Sequence, residues 1–320
     1  MSNSYISTLI PVYKLEHLHR TLNSVIGQRL KPNRVIISDD SHRLQLIPEL
    51  KYQFEEIYNI HGIKIDVIYG PQLGGYANMK NLLNEIDDCT ELVHFLFDDD
   101  VIFPGFYDNH VNLHENISSS LATISKRTYI DENDFQIPGY GYPDFVEKML
   151  NRIVVLNAES VYPTILPRMN NWLGEFSNAV FKRDCISRVI NFKFSNISYY
   201  GLGDIGAFLE ISEKSESLFF INDNLGAFRI HSNSNSLKYH SKENLASVVA
   251  WVVVALHALE LNYITANDFN ECCLRVVGVL KFRKTSGAQK FIPIIENLIG
   301  QNRGSINEFL HLWERFLAEV

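Results

Sequence analysis

The sequence predicts an α/β fold: a mostly parallel sheet flanked by helices, followed by a C-terminal helical region. Three observations carry that prediction. Four short apolar runs lie within the first hundred residues. Helical spacing of apolar residues fills the intervals after the first and the third run. From about residue 241 onward only helical spacing remains.

The first run, Tyr5 to Val12, reads as a buried strand that stops near Pro11. From Leu15, apolar residues recur at Leu18, Leu22, Val25 and Ile26, a helical period. Arg34 to Ser38 is a second strand and ends in Asp39-Asp40-Ser41. Ile63 to Tyr69 is a third. Gly74-Gly75 breaks the chain, and Ala77 to Ile86 resumes a helix through Met79, Leu82 and Leu83. Leu92 to Phe97 is a fourth strand that runs into Asp98-Asp99-Asp100. Parallel strands need crossover connections, and ligands of such sheets sit outside the carboxyl ends of the strands. Two strands end in carboxylates, so parallel pairing places Asp39, Asp40 and Asp98 to Asp100 on one rim.

Residues 127–175, with Gly139-Tyr140-Gly141-Tyr142-Pro143, Pro163 and Pro167, read as loops around the site. The last part reads as four helices: Asn244 to Leu261, Asp268 to Leu280, Lys290 to Ile299 and Ile306 to Ala318. The chain thus divides into residues 1–240 and a helical region, 241–320.

With 320 residues, 46% of them hydrophobic and 21% charged, the chain has the make-up of a globular protein with a sizeable core. A net charge of -8 argues against a nucleic-acid partner. Cys89, Cys185, Cys272 and Cys273 have no paired metal spacing, which fits a reducing compartment. Met1 to Tyr5 carries no secretory pattern, so the expected location is cytoplasmic. Leu245 to Leu256 is the most apolar stretch, but at about 12 residues it falls short of the ~20 a bilayer needs. A buried helix is the expectation there.

Three adjacent carboxylates repel one another, and a divalent cation relieves that repulsion. Mg²⁺ takes one or two carboxylates plus substrate phosphates. Asp98 to Asp100 directly follow an apolar strand, which favours that reading over a solvated cap. Asp39-Asp40-Ser41 suits a base or ribose contact and equally suits a turn. Lys80 and Asn81 follow a glycine break into a helix, an arrangement that can face an anion. A solvated lysine is the plain alternative, and no P-loop pattern is present. Asp204, in Tyr200-Gly201-Leu202-Gly203-Asp204, suits a general base or a helix cap. His231, after Arg229-Ile230, suits a metal or phosphate contact or a plain hydrogen bond.

The order of these motifs is more specific than any one of them. Ser7 to Tyr13 with its Pro-x-Tyr, then Val35 to Ser41, resembles the opening of the family 2 glycosyltransferases of the GT-A fold. Gly75 to Asn81 looks like that family's Gly-to-Ala-Arg-Asn segment. Phe95 to Asp100, with Pro104, looks like its metal-site segment. Phe181-Lys182-Arg183, Asp204 and Arg229-Ile230-His231 resemble later landmarks in the same order. The resemblance spans about residues 5–236.

It implies a Rossmann-like, GT-A-type sheet and an inverting, metal-dependent hexosyltransferase. The donor is a nucleotide-sugar, UDP-linked by preference, and the acceptor a hydroxyl of a glycan, glycolipid or glycoprotein. Surface-glycan or glycoconjugate assembly is the family-level setting. Asp39 or Asp40 holds the nucleoside, with Pro11, Tyr13 and Lys80 in the donor-binding set. Asp99 binds Mn²⁺ or Mg²⁺, with Asp98 towards ribose or metal and Asp100 and His231 beside the cation. Arg229 lies over the diphosphate, and Asp204 is the base. Trp172 and Tyr140 are candidates to stack on a sugar ring.

Three positions depart from the pattern. Phe97 stands where the first aspartate of Asp-x-Asp is common, Gly203 where Glu is common, and Lys14 where Asn is usual. These departures sustain an alternative, a catalytically impaired GT-A-fold binding or scaffold protein. A sugar nucleotidyltransferase is a weaker alternative, because residues 11–20 hold no glycine-rich triphosphate loop. The helical tail suits packing on the first domain, a homodimer, or peripheral contact with the inner face of a membrane through Lys281 to Lys284.

Overall fold

Alternation along the first strand sorts two cores. In β1 (Ile6–Val12), Ile6, Ile10 and Val12 face one apolar cluster and Leu9 faces the other. β2 (Arg34–Asp39) divides likewise, with Val35 and Ile37 on one side and Ile36 on the other. Both faces of this sheet are therefore covered, as parallel pairing requires. The computed structural model describes residues 5–41, 60–139, 141–148, 150–194, 196–231, 241–283, 287–299 and 303–320.

β3 (Lys64–Tyr69) and β4 (Leu92–Phe95) complete a parallel set in the order β3-β2-β1-β4. Two buried hydroxyls of β1 are satisfied across the chain. Ser7 Oγ lies 2.9 Å from Thr90 Oγ1, and Thr8 Oγ1 2.6 Å from Tyr107 Oη. α1 (Leu18–Ile26) follows β1, and α2 (Gly75–Asn84) follows β3. α2 starts earlier than its apolar spacing implies, because Gly74, at φ +90°, turns the chain into it.

The second half adds β5 (Val101–Ile102), α3 (Phe106–Asn116), β6 (Ala122–Ile130), β7 (Gln136–Ile137), α4 (Asp144–Glu147), β8 (Ile153–Leu156), α5 (Ala158–Ile165), β9 (Ala179–Lys182), α6 (Arg183–Val189), β10 (Lys193–Phe194), β11 (Ile197–Ser198), α7 (Gly203–Ser212) and β12 (Leu218–Arg229). The sheet continues β4-β9-β6-β12-β5. β6 and β12 run parallel to each other, and β9 and β5 are antiparallel to their neighbours. The result is a mixed, mostly parallel sheet.

Residues 127–175 are more regular than expected. They hold the end of β6, all of β7 and β8, and α4 and α5. The prolines misled: Pro163 sits inside α5, whose first turn is capped by Asn157 Oδ1 accepting from the Ser160 N–H at 3.1 Å.

The C-terminal helices are α8 (Lys242–Glu260), α9 (Ala266–Arg283), α10 (Ala288–Ile299) and α11 (Arg303–Leu317). They share one apolar cluster with the sheet face that buries Leu9 and Phe95. His257 stacks on Phe194 at 4.0 Å and meets Glu213 Oε1 at 2.7 Å. Trp313 Nε1 donates to the Ser198 carbonyl at 2.7 Å. The C-terminal helices and the sheet thus share a core. α8 has the length and composition to cross a membrane, yet 61% of its most apolar window is buried inside the protein.

Candidate active site

β1 lies between β2 and β4, so the two acid clusters end on one rim. The loop after β4 is held from three sides. Asp98 Oδ2 accepts the backbone N–H groups of Tyr13 and Lys14, both at 2.7 Å, which ties it to the β1–α1 connection. Thr21 Oγ1, on α1, lies 3.1 Å from the Asp98 carbonyl and 2.8 Å from the Asp100 carbonyl. The Arg229 N–H, at the end of β12, donates to Asp100 Oδ1 at 3.0 Å.

The three aspartates therefore differ. Asp99 turns to His231, with Oδ2 and Nε2 at 3.0 Å. Asp98 is half-buried, and burial, then the Asp99 charge, push its carboxyl up to about 7. Asp100 is buried and pushed well up by the same two causes. Its carboxyl borders a small cavity with Arg127, Glu175 and Ser177. Asp100 is thus a buried prop beneath the loop and does not stand beside a rim cation as expected. Arg229 also departs from its expected place. It is fully buried, with Nε on the Asp99 carbonyl (2.8 Å), Nη1 on the Asp131 carbonyl (2.8 Å) and Nη2 at the Asp134 carboxylate (2.7 Å). It braces the loop from below rather than covering a diphosphate.

Among the described residues, no group of three or more His, Cys, Asp or Glu converges as a metal cage. A cation that arrives with a diphosphate needs only one or two protein ligands. Asp99, whose side chain is 22% exposed, fits that requirement, with the buried His231 hydrogen-bonded behind it.

At the end of β2, Asp39 Oδ1 accepts from the Ser41 N–H (3.0 Å) and hydroxyl (2.6 Å), the turn its sequence allowed. Asp40 Oδ1 accepts the Gln72 N–H, which draws the loop after β3 onto the rim. Asn78 and Asn81 of α2 reach the Ser38 carbonyl (3.3 Å) and hydroxyl (3.2 Å). Lys80 is exposed on α2, Pro11 is half-buried, and the Tyr13 ring is 45% exposed beside the rim.

Asp204 lies in the first turn of α7. Burial, then the Glu175 charge, lift its carboxyl to about 8, against a hydrogen bond from the Phe176 backbone. Glu175 is itself ion-paired to buried Arg127, Nε to Oε2 at 2.7 Å, and burial raises its pKa. Arg127 also donates to the Tyr129 hydroxyl (2.9 Å) and to the Trp172 carbonyl (3.3 Å). Glu175 acts electrostatically on Asp204, Asp99 and Asp100, so it links the two ends of the site.

The sequence reading missed Glu175 and Arg127. The signals were a charged residue in the middle of the apolar β6 pattern and an acid after Leu173-Gly174. It also missed His17, the N-cap residue of α1. His17 is buried against His231 at 5.2 Å, and burial, then the Arg229 charge, lower its pKa. Trp172 is corrected: it is 1% exposed, packs on Phe145 and Phe220, and donates to Thr164 Oγ1 at 3.1 Å, so it is core. Tyr140 and Lys284 lie outside the described residues.

The three departures have visible surroundings. The Phe97 ring packs against the larger core, and its N–H donates to Ser177 Oγ at 3.1 Å. Lys14 contributes its backbone N–H to Asp98. A Cβ at Gly203 would come within 2.9 Å of both Tyr76 and Phe192.

No protein-family model matches the chain, and no curated protein sequence matches it. Among solved structures it is similar to S. aureus TarS 1–349 in complex with UDP-GlcNAc, with a TM-score of 0.56 and 15% identity over 88% of this chain and 74% of that one. It is similar to the same protein in complex with UDP, with a TM-score of 0.52 and 14% identity over 88% and 74%. The structure of TarS 1–349 alone gives 0.51 and 14% over 84% and 70%. The chain has a GT-A-like α/β fold. At these identities the likeness is one of fold, and the expected mostly parallel α/β sheet with C-terminal helices is present.

Proposed function

We propose that the protein transfers a sugar from a UDP-linked donor to an acceptor hydroxyl with inversion, as a family 2 type glycosyltransferase. One observation carries the reading: a carboxyl lifted to about 8 shares Glu175 as an electrostatic neighbour with the acid loop that holds the Asp99–His231 pair. A general base is most effective when its pKa lies near the working pH. The likeness in fold to TarS, solved in complex with UDP-GlcNAc and with UDP, supports the choice of donor class.

Asp204 accepts the proton of the acceptor hydroxyl as its oxygen bonds to the anomeric carbon. The bond from that carbon to the diphosphate oxygen breaks, and the electron pair leaves with the nucleoside diphosphate. Asp99, oriented by His231, would hold Mn²⁺ or Mg²⁺, which would neutralise charge on that leaving group. The Asp39–Asp40 end of the rim holds the nucleoside, and Tyr13 lies beside it. The cytoplasmic setting and peripheral membrane contact through the tail belong to this reading.

The test is UDP release from UDP-GlcNAc, UDP-glucose, UDP-galactose and UDP-GalNAc with Mn²⁺, with Mg²⁺ and with chelator, alongside UDP-induced thermal shift. Asp204→Asn should lower turnover by roughly 10²–10⁴-fold and keep UDP affinity. Asp99→Ala should lose the metal-dependent part of UDP binding. A protein that neither binds UDP nor consumes any of the four donors refutes the reading. That result would leave the impaired-scaffold alternative, to which the Gly203 and Phe97 departures point.

A further inference from the structure

We propose that Tyr76 is the positioning residue of Asp204, acting as an N-cap supplied by another element and filling the space that a side chain at 203 would take. The inference rests on the reading of Asp204 as the base.

A helix leaves its first backbone N–H groups without partners, and a Ser, Thr, Asp or Asn at the N-cap normally accepts one of them. The N-cap residue of α7 is Leu202, which has no acceptor on its side chain. The acceptor comes instead from the first turn of α2: the Gly203 N–H donates to Tyr76 Oη at 3.2 Å. The ring that carries this hydroxyl is wedged against Phe192 (4.3 Å) and Tyr200 (4.9 Å). A Cβ at 203 would meet Tyr76 Cε1 at 2.9 Å and Oη at 3.0 Å. Tyr76 therefore occupies the volume into which a residue at 203 would point. Asp204, the next residue, has its position set by this contact.

The opposite side of the turn is equally constrained. Gly201 has φ +96°, and a Cβ there would lie 2.6 Å from the Ser247 backbone nitrogen of α8. The turn is clamped between α2 and the first C-terminal helix. Its glycines serve close approach from both sides. α2 is also the helix whose Asn78 and Asn81 bond Ser38 beside the Asp39–Asp40 turn. Tyr76 thus joins the nucleoside end of the rim to the base by one rigid helix.

Tyr76→Phe keeps the ring and removes the acceptor. With the donor that the wild type turns over fastest, kcat should fall about 10–100-fold, the scale of a displaced catalytic group, while donor KM stays within twofold. A merely structural tyrosine would lower thermal stability and leave kcat per folded molecule unchanged. Gly203→Glu alone should be inactive through its clash. In the Tyr76→Ala background, where the space is vacant, it should regain at least about tenfold in kcat over either single variant, a non-additive pair. Additive losses within twofold, or wild-type kinetics in Tyr76→Phe beside an inactive Asp204→Asn, overturn this inference and leave the reading of the base intact. Full turnover by Asp204→Asn overturns both.

Discussion

The two ends of the site are held in opposite ways. The acid loop after β4 is fixed by its neighbours along the rim: backbone N–H groups of residues 13 and 14, the Thr21 hydroxyl, and the end of β12. The Gly201–Asp204 turn is fixed by close packing between two helices, Tyr76 of α2 on one side and α8 on the other. A loop held by hydrogen bonds between side chains and backbone depends on particular polar groups. A turn held by close packing depends on particular residues. Damage to the first end should therefore appear in donor binding, and damage to the second in turnover.

The largest expected effect removes what both ends share. Arg127→Met removes a buried guanidinium, leaves the half-buried Glu175 carboxylate without its ion-pair partner, and should destabilise the protein by about 3–5 kcal/mol. Urea unfolding would show it, together with loss of both UDP binding and turnover. Next, Gly201→Ala forces a side chain into the left-handed region and against Ser247. A loss of about 1–3 kcal/mol should accompany a reduced kcat at near-normal donor affinity. Thr21→Val removes the hydroxyl under the acid loop. Roughly 1 kcal/mol of stability should go, with weaker UDP binding and little change in kcat. The smallest is Asn81→Ala, about 0.5–1 kcal/mol, read as a slight loss of UDP affinity because α2 loosens from Ser38. If Gly201→Ala weakened donor binding while Thr21→Val lowered kcat, the contrast between the two ends would be false.

Legibility in the sequence follows the same division. The parallel half of the sheet was readable because strand runs such as Val35-Ile36-Ile37 and the spacing Leu18, Leu22, Val25 are local signals. Where the carboxylates follow those strands, the order of motifs located them. Partnership was not readable. That Asp98 binds backbone, that Asp100 is buried, and that Arg229 lies beneath the loop depend on residues about 85 to 130 positions apart. Trp172 was misjudged because aromatic identity alone does not separate a core ring from a sugar platform. Pro163 was misjudged because a proline within a helix resembles a loop signal. Tyr76 carries no local mark, and the acid after Leu173-Gly174 marks Glu175 without naming its partner; their roles arise only when β6, α2 and α7 meet.

The titration of Asp204 tests the central claim most directly. A carboxyl raised to about 8 is favoured in its protonated form by the fold, so its contribution to stability is lost as pH rises from the ordinary carboxylate range through 8. The protonated form cannot accept the acceptor's proton, so catalysis runs the other way and appears as pH rises. Donor consumption by wild type at saturating donor should increase roughly tenfold per pH unit below about 7 and level off above 8. Asp204→Asn should be at least about 100-fold slower and flat over the same range. A wild-type profile that is flat from pH 6 to 9, or an Asp204→Asn profile that follows it, would contradict the account.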